Sequence, residues 1–167
     1  MDSPFSHVGS TGKLRMVDVS NKRRTLRKAR AQCLVVTNVK MADIEPRDDG
    51  LDVEHVARVA GVLAAKRTAE IIPLCHTLHL SDVNVELVEI DTGVEVSSSV
   101  IANEATGVEM EALTACAFAA LSILDALRAL DPYARVDDLV LLEKEGGKSG
   151  SWGRLVETPK LRRRRRS

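Results

Sequence analysis

Hydrophobic positions along the chain repeat with two periods, and their order predicts a fold. Residues 33–39, CLVVTNV, form a short apolar, β-branched run that reads as a strand, and EPRDDG breaks it. From Leu51 to about Thr68, Val56, Val59, Ala60, Leu63 and Ala64 return at helical spacing, and Pro73 marks the limit of the segment beyond them. In SDVNVELVEI, Val83, Val85 and Leu87 alternate with Asp82, Asn84 and Glu86; DTG then turns the chain and VEVSSSVIA alternates again, a half-buried hairpin. Glu109 to Leu130, rich in Ala and Leu and closed by Asp131-Pro132, predicts a long helix. Residues 136–143, VDDLVLLE, predict a last strand before the loop KEGGKSG.

The order β-α-β-β-α-β is the ferredoxin-like α+β unit, with two helices on one face of a four-stranded antiparallel sheet. A chain of 167 residues suits one domain, placed at 12–156, with 1–11 and 157–167 as flexible ends. The second helix is apolar nearly all round, which requires burial on more than one side. In a two-layer fold the sheet covers one side, so a second subunit is expected on the other, and the protein is expected to be a helix-packed homo-oligomer.

Charge and cysteine usage narrow the class. The formal net charge is zero, but the last eight residues, KLRRRRRS, hold six of the 24 basic side chains, which leaves 18 basic against 24 acidic groups elsewhere. The tail reads as a solvated segment; anionic polymer binding through its five arginines is the weaker reading. Three scattered cysteines, Cys33, Cys75 and Cys116, do not make a disulfide framework, which fits a reducing compartment. No secretory leader is read at the start, no run is judged long enough to span a bilayer, and a cytoplasmic protein is expected. One Trp, one Tyr and two Phe give no platform for stacking bases, so nucleic acid is not expected as a partner.

Several clusters carry candidate chemistry. IIPLCHTLHL holds Cys75, His76 and His79, of which only His76 and His79 can converge, on a helical turn; two ligands are too few for a structural zinc site. Cys75, in an apolar run, is a poor thiolate. Gly147-Lys148-Ser149 resembles a phosphate loop, but Leu142 stands where that pattern needs glycine and no helix is predicted next. In TGVEMEAL, Thr106 and Glu109 match a capping box, which accounts for Glu109. Glu111 and Asp125 are carboxylates on a nearly apolar helix, so each is expected to be paired or to have a raised pKa. For Asp125 the plain alternative is an ion pair with Arg128. Fourteen residues place the two carboxylates within about 40° of one helical face and about 21 Å apart, too far to share a small ligand within one subunit. Lys66 and Arg67, shortly before Cys75-His76, add positive charge and point to an anionic ligand.

The blocks MVDVS (16–20), ARVAGVLAAKRTAEIIPLCH (57–76), TGVEMEALTA (106–115) and EKEGGKSG (143–150) resemble the cyclic pyranopterin monophosphate synthases, the molybdenum cofactor biosynthesis protein C family, and the resemblance covers nearly all of residues 12–152. It implies a hexamer built as a trimer of dimers, with sites at the dimer interface. It also implies conversion of 3′,8-cyclo-7,8-dihydroguanosine 5′-triphosphate, made by a partner radical S-adenosylmethionine enzyme, to cyclic pyranopterin monophosphate with release of diphosphate. Carried over by motif, Leu74, Cys75, His76, Met110 and Glu111 contact substrate, Asp125 is the active-site aspartate, Lys144 matches a family lysine and joins it as a catalytic residue, acting as acid or as charge clamp, Lys66 matches a family lysine that binds substrate, and Arg27 contacts phosphate. No cofactor is implied, any magnesium being held mainly by substrate phosphates. The chain departs from the pattern at Gly50-Leu51-Asp52, where the family has Lys-Gly-Asp, and at Arg128, where it usually has lysine. Arginine keeps the charge but cannot serve as a base at neutral pH. The alternative function is therefore a catalytically impaired paralogue that binds ligand or assists assembly.

Overall fold

In a computed structural model, residues 7, 12–44, 52–147 and 150–154 are described. Gly50, the Arg-rich tail, Lys148, Ser149 and residues 1–6 and 8–11 lie outside them, as do the expectations placed there. The elements run β1 (Thr25–Val36), α1 (Val53–Lys66), α2 (Thr68–Ile71), β2 (Leu80–Ile90), β3 (Gly93–Glu104), α3 (Glu109–Leu127), β4 (Arg135–Glu145) and β5 (Trp152–Gly153). All strand pairs are antiparallel, in the order β2-β3-β1-β4-β5. This is the predicted ferredoxin-like sheet with one addition, the two-residue β5 on the edge of β4.

Several boundaries differ from the sequence reading, among them the end of β1 at Val36 rather than Val39 and the following three. β1 starts eight residues earlier, because Ala29, Ala31, Cys33 and Val35 alternate inward with Arg30, Gln32 and Leu34 between them, a pattern that small side chains make faint. The first predicted helix breaks at Arg67 into α1 and the four-residue α2. Buried Thr68 holds that break, its Oγ1 donating to the Ala65 carbonyl at 3.0 Å. α3 stops three residues short of Leu130, where the Leu130 and Asp131 N–H groups close the last turn on the Leu127 carbonyl.

By length and composition α3 matches a membrane span, against the sequence expectation; half of its most apolar stretch is buried within the molecule. The sheet covers Cys116, whose Sγ lies 3.3 Å from Cys33 Sγ in β1 and 3.3 Å from the Val96 carbonyl oxygen in β3. α1 covers another flank through Gly61, where a Cβ would stand 2.8 Å from the Ala115 carbonyl oxygen and 3.3 Å from Ala119 Cβ. Part of the helix surface assigned from the sequence to a second subunit is thus covered by α1. Met110, Phe118 and Leu121 remain exposed on α3, and Val59 and Leu63 on α1.

Candidate active site

The start of α3 gathers the candidate chemistry. β3 delivers the chain to Glu104, and Ala105–Gly107 lead into α3 at Glu109. No side chain caps the helix at its N-cap, Val108. The predicted capping box is therefore not formed: Lys144 of β4 takes the Glu109 carboxylate instead, Nζ to Oε1 2.9 Å, and a tertiary ion pair replaces the local hydrogen bond. Lys144 is held at this helix N-terminus by strand pairing, Lys144 opposite Ala29 of β1.

Arg27 lies on the same side. Its Nε donates to the Glu104 carbonyl at 3.1 Å and its Nη2 to the Ala105 carbonyl at 3.3 Å. Nη1 occupies the space that a Cβ on Gly147 would need, and Gly146 and Gly147 both have positive φ, so the glycines of this loop admit the guanidinium. Together these groups border a cavity of about 730 Å³. Lys22, Arg23, Arg27, Lys28 and Lys144 line it against two carboxylates, Glu109 and Glu145. Sequence reasoning selected Arg27 and Lys144 but passed over Lys22, Arg23 and Lys28; the signal was present in NKRRTLRK, where five of seven residues from 22 to 28 are basic.

Glu111, two residues into α3, is 4% exposed. Burial pushes its carboxyl up to about 7, and the negative Glu109 adds to the rise against the opposing pull of a backbone hydrogen bond. This bears out the expectation of a buried carboxylate with a raised pKa. Cys75, half-buried in the turn after α2, is its neighbour: burial first, then the charge of Glu111, push the thiol up. Cys75 is therefore a protonated thiol at neutral pH, as its apolar surroundings predicted. Leu74 and His76 flank it, both half-buried, and Cys75 N–H closes the turn on the Ile72 carbonyl at 3.0 Å.

The other candidates stand apart from these groups. Lys66 is exposed in the last turn of α1. Met110 is exposed beside Glu111. Asp125 lies near the far end of α3 with its side chain 79% exposed, 3.6 Å from Arg128 Nη1. Within one subunit Asp125 is exposed rather than covered, and of the two expected outcomes, pairing or a raised pKa, the ion pair with Arg128 is the one present. Arg27 and Lys144 share one cavity, and Cys75 and Glu111 share one charge environment. Asp125 is joined to neither.

The described residues contain no cluster of three or more His, Cys, Asp or Glu side chains able to hold a metal ion. The chemistry on view is a desolvated carboxyl that exchanges its proton near neutral pH, Glu111, two residues along α3 from Glu109, which lines a concave surface with an excess of cations. Such a surface favours a polyanionic ligand, and such a carboxyl can donate or accept a proton at little cost.

Comparison with known proteins agrees in extent with this region. Residues 16–147 match the model of the MoaC family, described by that name. The chain is 47% identical over 154 residues to a cyclic pyranopterin monophosphate synthase of Thermomicrobium roseum, covering 90% of this chain and 93% of that protein. It is 44% identical over 155 residues to the protein of the same name in Corynebacterium efficiens, covering 90% and 98%. A Streptomyces avermitilis protein of that name is 43% identical over 153 residues, covering 90% and 89%.

Proposed function

The chain belongs to the MoaC family, and we propose that it is a cyclic pyranopterin monophosphate synthase, a lyase of molybdenum cofactor biosynthesis. Its substrate in this reading is 3′,8-cyclo-7,8-dihydroguanosine 5′-triphosphate, supplied by a radical S-adenosylmethionine cyclase, and its products are the cyclic monophosphate and diphosphate. The observation that carries the reading is the cavity at the start of α3, where five cations face two carboxylates, one of them Glu109, two residues before the buried Glu111 whose carboxyl is pushed up to about 7. A triphosphate brings more negative charge than the two resident carboxylates, so it can displace the Lys144–Glu109 and Lys28–Glu145 contacts and take their cations.

The assigned roles rest on placement. Arg27 and Lys144, with Lys66 from outside the cavity rim, offset phosphate charge. Leu74, Cys75, His76 and Met110 contact the purine-derived ring, and Glu111 holds it through a proton that it can keep or release. Asp125 moves protons during opening and reclosure of the ring. Because it lies on the order of 21 Å along α3 from Glu111, it acts on substrate held by another subunit. A hexamer made as a trimer of dimers, with sites at the dimer interface, supplies that arrangement, in the cytoplasm where the cysteines stay reduced. Magnesium, where present, rides on the substrate phosphates.

Incubating the purified protein with the cyclised triphosphate and following the cyclic monophosphate by mass spectrometry tests this, with Asp125→Ala as the inactive control. Product in the wild type and none in the control is the expected result. Binding without product at high enzyme concentration would instead favour the impaired paralogue. Gly50→Lys, which restores the family lysine, would then be expected to raise turnover.

A further inference from the structure

We propose that Glu104 is a positioning residue that ties the Leu74–His76 wall of the site to the cationic cavity. Glu104 ends β3 and is 6% exposed. A carboxylate so placed needs donors aimed at it. They come from the far end of the Cys75-His76 segment: the His79 backbone N–H donates to Oε1 at 3.2 Å, and His79 Nδ1 lies 3.4 Å from the same oxygen. Arg24 Nε stands 3.6 Å from Oε2. Burial alone works against the charged form, yet the His79 amide and Arg24 outweigh it and hold the carboxyl below its ordinary range. Glu104 is thus an anion in the native protein.

The geometry matters because of what each end of these bonds carries. Residues 75–79 have no regular secondary structure, so they depend on anchors at their two ends. The first is the turn from Thr68 to Cys75, in which Ile72 N–H donates to the Thr68 carbonyl and Cys75 N–H to the Ile72 carbonyl. The second is His79, one residue before β2, on Glu104. The main chain of Glu104 faces the other half of the site, for its carbonyl accepts Arg27 Nε and the next carbonyl accepts Arg27 Nη2. From Ala105 onward the chain lines the cavity. One residue therefore joins the wall through its side chain and the cavity through its backbone.

This inference rests on the proposed lyase site, so its test carries a readout independent of turnover. In the full-length protein, iodoacetamide should modify half-buried Cys75 and spare Cys33 and Cys116, which are 1% and 0% exposed. Losing a hydrogen bond to a charged group loosens a segment by about tenfold or more, so Glu104→Ala should speed Cys75 alkylation by that factor while Cys33 and Cys116 stay protected. Glu104→Gln keeps an acceptor for the His79 amide and should confine the increase to about threefold. With the cyclised triphosphate, Glu104→Ala should raise KM more than it lowers kcat, and Glu104→Gln should restore most of the loss. A wild-type Cys75 rate in folded Glu104→Ala overturns the proposal, as does parallel exposure of all three cysteines, which marks Glu104 as a general stability residue. If the alanine variant does not fold, Glu104→Gln decides, and a wild-type rate there overturns the proposal. Absence of product from the wild type defeats the lyase reading but leaves the alkylation result intact.

Discussion

At position 111 the chain holds a carboxyl in a place from which water is excluded, and the consequence is measurable as a pH dependence of stability. The group titrates near 7 rather than 4.5 because burial disfavours its charged form and Glu109 repels it. The native state then holds the proton more tightly than the unfolded chain does. The resulting stabilisation relative to an ionised Glu111 is fully present below about pH 4.5, declines as pH rises toward 7, and is gone above it. The difference between the two ends is on the order of 3 kcal/mol. Glu111→Gln keeps the shape and never ionises, so the variant should melt higher than wild type at pH 8 and similarly at pH 5. Asp131 and Glu104, whose carboxyls are held below their usual range, push the other way at lower pH, so the comparison between the two proteins is the informative quantity. Identical pH profiles for wild type and Glu111→Gln would show that Glu111 is not desolvated. Turnover should fall in the variant, since an amide cannot exchange the proton.

Helix α1 lies on α3 at Gly61, and this crossing sets how deep the start of α3 sits. A methyl group at residue 61 would come within 2.8 Å of the Ala115 carbonyl oxygen and 2.9 Å of Val85 Cγ2, and the former is backbone that cannot swing aside. Gly61→Ala gains helix propensity of about 1 kcal/mol but loses about 1–3 kcal/mol to overpacking, so a net loss is expected as a lower urea midpoint with unchanged slope. A higher midpoint would mean that α1 is free to move away. The strong periods of β2, β3 and α3 were legible in the sequence because their apolar side chains are large or continuous. The first half of β1 was not, since Ala29 and Ala31, set among Lys28, Arg30 and Gln32, give little hydrophobic contrast. At Glu109 a local rule pointed to a helix cap, and Lys144, distant in sequence but brought near by pairing with β1, captured the carboxylate. The segments around Cys75 and Glu111 were found as chemistry because a thiol, an imidazole and a carboxylate are conspicuous in apolar runs. Glu104 was missed because its burial arises only when β3 and the His79 turn meet.

For the whole molecule the main contrast is between the two ends of α3, one built into a site and the other exposed. Phe118 and Leu121 are 38% and 51% exposed on α3, with Val59 and Leu63 at 58% and 47% on α1, and together they leave apolar surface on the helical layer. Asp125 comes seven residues after Phe118 and so lies within about 20° of it around the helix. A second subunit that covers Phe118 and Leu121 therefore also reaches Asp125, and the proposed oligomer both removes apolar surface from water and gives the aspartate a neighbour. Placing carboxylates in that surface should prevent association without disturbing the single-subunit core, because Leu63 and Leu121 are about half exposed. The double variant Leu63→Glu, Leu121→Glu is expected to run as a monomer by light scattering, to keep its far-ultraviolet circular dichroism, and to lose product formation. Rescue of activity on mixing with Asp125→Ala would be absent, since neither protein could present both a competent interface and the aspartate. A monomeric double variant that still turned over at the wild-type rate would place Asp125 outside the reaction and confine the site to one subunit.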